Sequence, residues 1–228
     1  MLNGWIIFGG WAVPPDILKS VFGENNFYVD TNLLLPLIID NDSLKDNWQQ
    51  ILVSFIKGIV NSNQIKIAGW STGAIVGCVL SGMFNCSKSV FLSATPCFCR
   101  TDNFKFGWKK EVLDLMINKI MLTNERQKVL IDFYKKADFD NFEKKIINKY
   151  TNDVLVSGLY FLKEFNLFKI FKGTLKNSIV LHGIEDKIIP YQAGIEFAKL
   201  IGGEVKLLKG GHNFFLEYKD EVRDIINL

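Results

Sequence analysis

A serine hydroxyl attacks an acyl carbon only when a base takes its proton and an acid orients that base. Three stretches of this 228-residue chain offer such a set. Gly69-Trp70-Ser71-Thr72-Gly73 places a serine between two glycines, after the apolar run Gln64 to Ala68 and before the helix-compatible run Ala74 to Leu80. A Gly-x-Ser-x-Gly between a strand and a helix reads as a tight turn that lifts Oγ above the strand end, with glycine where a Cβ would collide. The chain has only two histidines. His212 stands in Lys209-Gly210-Gly211-His212-Asn213-Phe214, between the last candidate strand and the last candidate helix. Asp186 follows the strand that ends near Leu181. In an open parallel sheet, function gathers at the carboxyl ends of strands. Ser71, Asp186 and His212 are therefore expected as nucleophile, acid and base, in that chain order. Glu185 is the alternative acid, and His182 is expected to be structural or to line a pocket.

The negative charge that develops on the attacked oxygen needs two backbone donors. One is expected from Thr72, which follows the nucleophile. The other is expected from Trp11, in the Gly9-Gly10-Trp11 loop after the first strand.

These residues need a scaffold that brings distant stretches together. Short apolar runs at Trp5–Phe8, Phe27–Asp30, Gln64–Ala68, Ser89–Ala94, Ser178–Leu181 and Glu204–Leu208 read as strands. Helical spacing joins them: Leu44, Trp48, Ile51, Leu52, Phe55, Ile56 and Ile59, then the run after Ser71 to about Phe84, then Ala193 to Ile201, then Phe214 to Ile226. Ser43 is expected to open the first of these with a capping box. Leu33 to Ile39 contains Pro36 and is expected as a loop or an edge. Strands alternating with helices predict an α/β architecture with a minimal, mostly parallel sheet of about six strands. The segment 100–172 shows helical patterns, such as Glu111 to Leu122 and Glu125 to Lys136, and no clear strand. The expected organisation is a core of residues 1–99 and 173–228 with a helical lid, 100–172, inserted into it.

Charge separates the same two parts. The segment 100–172 holds 15 Lys and Arg against 10 Asp and Glu, and the remainder 12 against 14. The formal net charge is only +3, which does not suggest nucleic acid. The basic excess on the lid would suit an acidic partner. No apolar run reaches about 18 residues, so no membrane span is expected. Cys97 and Cys99 would need further ligands to hold a metal, and neither a metal nor a cofactor is expected. The opening residues lack the basic and apolar regions of a secretory signal, and the cysteine spacing suits a reducing compartment. A cytoplasmic monomer is expected.

Three motifs carry a family resemblance. Phe8-Gly9-Gly10-Trp11-Ala12-Val13-Pro14-Pro15, Gly69-Trp70-Ser71-Thr72-Gly73 and Ala94-Thr95-Pro96-Cys97-Phe98-Cys99 are similar to the oxyanion loop, the nucleophile turn and the lid entry of the pimeloyl-[acyl-carrier protein] methyl ester esterases of biotin synthesis. Those enzymes have the α/β-hydrolase fold. Val156-Ser157-Gly158-Leu159 resembles the lid exit more weakly. The resemblance implies a serine carboxylesterase that removes the methyl group from pimeloyl carrier protein and ends chain elongation. It implies an apolar slot, with Phe104, Phe106 and Trp108 as candidates. It also implies a docking surface for the acyl-carrier protein, with Lys128, Lys135, Lys136, Lys144, Lys145 and Lys149 as candidates. The chain departs from the family in having Gly9-Gly10 where many members carry His-Gly, and lysines where arginines are expected. A general short-acyl carboxylesterase or thioesterase is the alternative. A non-catalytic binding module on the same fold is the second.

Overall fold

The computed structural model describes residues 4–40, 42–59, 65–84, 86–122, 124–139 and 144–227, without the side chains of 144 and 145. The first strand, β1 (Trp5–Phe8), leads through a 3₁₀ turn at Pro15–Leu18 and a single helical turn, α1 (Lys19–Phe22), to β2 (Phe27–Val29). Next come α2 (Thr31–Ile38), the two-residue strands β3 (Ile39–Asp40) and β4 (Ser43–Leu44), and α3 (Trp48–Lys57). Strand β5 (Lys66–Trp70) runs into α4 (Thr72–Phe84) with Ser71 between them, and β6 (Lys88–Leu92) follows. The segment 100–172 contains α5 (Lys110–Met121), α6 (Arg126–Lys136), α7 (Lys144–Ile147), α8 (Asn152–Glu164) and α9 (Leu167–Ile170). Strand β7 (Ser178–Gly183), α10 (Tyr191–Ile201), β8 (Glu204–Leu208) and α11 (Lys219–Asn227) close the chain.

Six strands form one sheet in the order β2-β1-β5-β6-β7-β8, and every neighbouring pair is parallel. The chain winds from β1 outward to β2, then returns to pair β5 on the other side of β1. That reversal opens a crevice at the carboxyl ends of β1 and β5, where Phe8 pairs with Gly69. The central strands read as unbroken apolar runs because helices cover both faces of the sheet. Ile7, Phe8, Ile67, Ala68, Val90, Phe91, Val180 and Leu181 are fully buried. No helix among the described residues is long and apolar enough to cross a membrane.

Three local expectations fail for tertiary reasons. Leu33 to Ile39 is mostly helix, not loop or edge. Asp30 caps α2 by accepting from the Asn32 N–H at 3.2 Å, and Leu34, Leu35 and Ile38 are buried. Pro36 costs a helix about 3 kcal/mol, whereas each fully buried leucine or isoleucine contributes about 1.5–3 kcal/mol. Burial against α8 therefore outweighs the proline. Ser43 does not cap a helix. Its hydroxyl donates to the Asp40 carbonyl at 3.2 Å, and Ile39 pairs with Leu44 in a short antiparallel ribbon. The helix begins at Trp48 instead, with Trp48, Leu52 and Ile56 buried on one face. The helix expected from Phe214 breaks into a 3₁₀ turn at Phe214–Leu216 before α11. Phe214 and Phe215 are both buried. The two rings pack edge to face on each other, and Phe215 meets Trp70 edge-on, so their burial fixes this turn apart from the amphipathic helix that follows.

Candidate active site

Ser71 sits at the tip of a strained turn, with φ at +56° in the left-handed region. The Ser71 N–H donates to the Leu92 carbonyl at the end of β6 at 2.9 Å, which ties the turn to the sheet, and the Ala74 N–H donates to the Ser71 carbonyl at 2.9 Å. A Cβ on Gly69 would run into the Gly73 carbonyl, and a Cβ on Gly73 into the carbonyls of Phe8 and Gly9. Both glycines are therefore steric necessities of a turn wedged against the β1 loop.

The structure brings Ser71, His212 and Asp186 into one line. His212 Nε2 is 3.0 Å from Ser71 Oγ, and His212 Nδ1 is 2.8 Å from Asp186 Oδ2. The other Asp186 oxygen accepts the backbone N–H groups of Ile188 and Ile189, each at 2.8 Å. Those bonds fix the carboxylate, and the carboxylate fixes the ring, leaving Nε2 to accept from the serine. Burial opposes ionisation of Asp186. Attraction to His212 and hydrogen bonds from both histidine rings overcome that and hold its carboxyl well below the usual carboxylate range. Glu185 is exposed, whereas Asp186 and His212 are buried.

His182 lies under the acid, fully buried, with Nε2 at 2.8 Å from the Ile189 carbonyl and 3.2 Å from Asp186 Oδ2. It is not part of the cavity lining. Sharing the Asp186 oxygen with His212, it steadies the acid and cannot reach the serine as a base.

Two further side chains hold the histidine loop. Trp70 Nε1 and Ser93 Oγ both donate to the His212 carbonyl, each at 2.9 Å. Trp70 is fully buried, edge-on to Phe139 and Phe215. Sequence reasoning did not assign Ser93 a role, and no spacing rule points to a serine beyond a strand end.

The loop after β1 is held by Asn32, which sequence reasoning also missed. Its Oδ1 accepts the Ala12 N–H at 2.7 Å, and its Nδ2 donates to the carbonyls of Gly10 at 3.0 Å and Val13 at 3.3 Å. Ala12 is thereby kept at a positive φ of +58°. The Trp11 indole donates to the Leu155 carbonyl at 2.9 Å, and Gly158 makes room for that ring. Tyr134 adds a bond from its hydroxyl to the Ala12 carbonyl at 2.9 Å. No acceptor among the described residues takes the backbone N–H of Trp11 or Thr72. Both remain available to an oxyanion.

An apolar cavity of about 170 Å³ opens on Ser71. Trp11, Phe98, Trp108, Met116, Phe133 and Leu162 are among its walls, and its charged residues are Lys119, Asp132 and Lys136. Trp108 lies parallel to Phe98 and donates from Nε1 to the Ile188 carbonyl at 2.7 Å, which makes it part of the cavity wall. Phe104 and Phe106 do not line it. They pack edge to face on each other, and Phe104 meets Phe168.

The lysines divide in the same way. Lys136 stands over the Trp108 ring, 5.1 Å from its centre, and Lys135 is exposed. Lys128 pairs with Glu125 at 3.0 Å, and Lys149 with Asp30 at 3.5 Å. The side chains of Lys144 and Lys145 lie outside the described residues.

All four cysteines are free and buried. Burial pushes the Cys86 and Cys99 thiols up to about 11 and that of Cys97 to about 12, and raises Cys78 further. Against an ordinary thiol near 8.5, the thiolate fraction at neutral pH falls by more than about two orders of magnitude at every one of them. Native protein is expected to take up iodoacetamide slowly at pH 7.5, and unfolded protein to label at all four sites. Rapid labelling of any cysteine in the folded chain, seen by mass spectrometry, would contradict this placement.

Compared with solved structures, the whole chain superimposes on the esterase EaEST from Exiguobacterium antarcticum with a TM-score of 0.75 and 14% identity, over 92% of that chain. It is similar to MenH from S. aureus (TM-score 0.68, 17% identity, 100% of this chain and 93% of that one). It is also similar to BioG from Haemophilus influenzae (TM-score 0.56, 17% identity, 94% and 90%). No protein-family model matches the chain, and no curated protein sequence does. The parallel six-stranded sheet and these superpositions show the α/β-hydrolase fold.

Proposed function

We propose that the chain is a serine carboxylesterase that hydrolyses the methyl ester of pimeloyl-[acyl-carrier protein] methyl ester, ending pimeloyl chain elongation in biotin synthesis. One observation carries the hydrolase part of this reading. Ser71 Oγ, His212 Nε2, His212 Nδ1 and Asp186 Oδ2 form a continuous hydrogen-bonded line that ends in an apolar cavity. The substrate rests on the motif resemblance, together with the size of that cavity and its apolar walls. A cavity of about 150 Å³ takes a benzene ring. One of about 170 Å³ therefore suits six or seven carbons.

In this reaction Ser71 Oγ attacks the ester carbon while His212 Nε2 takes its proton. The N–H groups of Trp11 and Thr72 hold the oxyanion. The tetrahedral species collapses, the C–O bond to the methoxy group breaks, and methanol leaves with the proton from His212. Water then attacks the pimeloyl-enzyme, giving its proton to His212, and the free ω-carboxylate departs as Ser71 recovers its hydrogen. Asp186 stays ionised throughout and stabilises the protonated ring. The helices of 100–172 act as the lid, and among its described side chains Lys135 and Lys136 are assigned as docking cations for an acidic carrier protein in the cytoplasm.

The test follows loss of the methyl group from pimeloyl-carrier-protein methyl ester, by mass, beside a small free methyl ester. Conversion of the carrier-bound ester is expected to weaken between about 50 and 300 mM salt as surface attraction is screened, while the free ester is unaffected. Equal salt responses would remove the docking surface. Turnover of the free ester alone would leave a general short-acyl esterase.

A further inference from the structure

Four buried side-chain polar atoms have no hydrogen-bond partner among the described residues: Thr31 Oγ1, Thr72 Oγ1, Arg126 Nε and His182 Nδ1. Such an atom destabilises a fold by about 1–3 kcal/mol, so each calls for a reason. Arg126 donates from Nη2 to the carbonyls of both Ile147 and Tyr150, which holds its guanidinium in place. His182 Nδ1 faces Gly194, where a Cβ would strike it. Thr31 opens α2, away from the cavity lining. Thr72 differs from all three. It follows Ser71 directly, it is only 1% exposed, and it is among the residues that line the cavity opening on Ser71.

We infer that the Thr72 hydroxyl is a third oxyanion donor, reaching the same oxygen as the Thr72 backbone N–H. This rests on the esterase reading above. The hydroxyl and the N–H hang from one Cα, at the first residue of α4, so a single oxygen placed before the helix end meets both. Pinning of the turn by Gly69 and Gly73 fixes where that Cα stands. In the free protein the hydroxyl has no acceptor among the described residues. The tetrahedral stage supplies one that carries full negative charge, so the bond forms where it lowers the barrier rather than where it tightens substrate binding. The donated proton stays on Thr72, and no bond to Thr72 is made or broken.

Thr72→Val keeps the shape and the backbone N–H and removes only the hydroxyl. With p-nitrophenyl hexanoate, kcat is expected to fall by about 10–100-fold with KM within about two-fold. Thr72→Ser should retain kcat within about three-fold. Hexylboronic acid, which forms a tetrahedral adduct on the serine, should bind Thr72→Val more weakly by a factor similar to the loss in kcat. The melting temperature should be equal or higher, because an unpaired buried hydroxyl has been removed. A kcat within two-fold of wild type, an unchanged boronate affinity, or a loss accompanied by a lower melting temperature would each overturn the assignment. Wild-type protein that neither turns over the ester nor binds the boronate would overturn the esterase reading, and this assignment with it. An active wild type matched by Thr72→Val overturns only the third donor.

Discussion

Ser71→Ala is expected to lower kcat by about 10⁶-fold while leaving the fold intact. The turn already holds residue 71 at positive φ, and alanine keeps the same Cβ. Among the described residues the side-chain partner lost is His212 Nε2 at 3.0 Å. Stability should therefore change by less than about 0.5 kcal/mol, read as an unchanged melting curve. Adding His212→Ala to Ser71→Ala should cost little further activity, because nucleophile and base act as a unit. The second histidine offers no rescue, since His182 is fully buried with Nε2 committed to Ile189 and Asp186. A Ser71→Ala protein retaining more than about one part in a thousand of the activity would place the chemistry elsewhere.

Asp186→Asn is expected to reduce kcat by about 10⁴-fold. An asparagine oxygen in the place of Oδ1 keeps the N–H groups of Ile188 and Ile189. Its amide nitrogen then faces His212 Nδ1, donor against donor. The ring answers by moving its proton to Nε2, and a protonated Nε2 cannot accept from Ser71. The same substitution changes the acid stability of the fold in a defined direction. The folded carboxyl of Asp186 ionises below its unfolded range, near 3.9. Its contribution is therefore fully present above about pH 4 and is lost as pH falls toward the folded value. Wild type should be more stable than Asp186→Asn at pH 7, with the gap closing below about pH 4. Melting temperatures across pH 3–7 decide this, and a gap that widens toward low pH would reverse the sign. It also follows that any loss of activity between pH 5 and 7 does not arise from protonation of Asp186.

Some of the molecule is determined by sequence because its cause is local. The turn at Ser71 needs glycine on both sides, and the strand before it and helix after it are written in adjacent residues. The apolar strands of a covered parallel sheet show as unbroken runs, and the alternation of strand and helix sets the architecture. Chain order placed Ser71, Asp186 and His212 at carboxyl strand ends, which is where the sheet brings them together.

The tertiary structure alone decided the rest, because those choices depend on residues far apart in the chain. Pro36 sits in a helix because Leu34, Leu35 and Ile38 find a buried face against α8. Asn32 holds the Gly9–Val13 loop across about twenty residues of sequence, and Ser93 and Trp70 fix the His212 carbonyl from more than a hundred residues away. Phe104 and Phe106 are aromatic and close in sequence to Trp108, yet of the three only Trp108 lines the cavity, where its ring lies parallel to Phe98 and its indole N–H donates to the Ile188 carbonyl. An aromatic residue announces that it will be buried. Which wall it joins is set by the surfaces that pack around it.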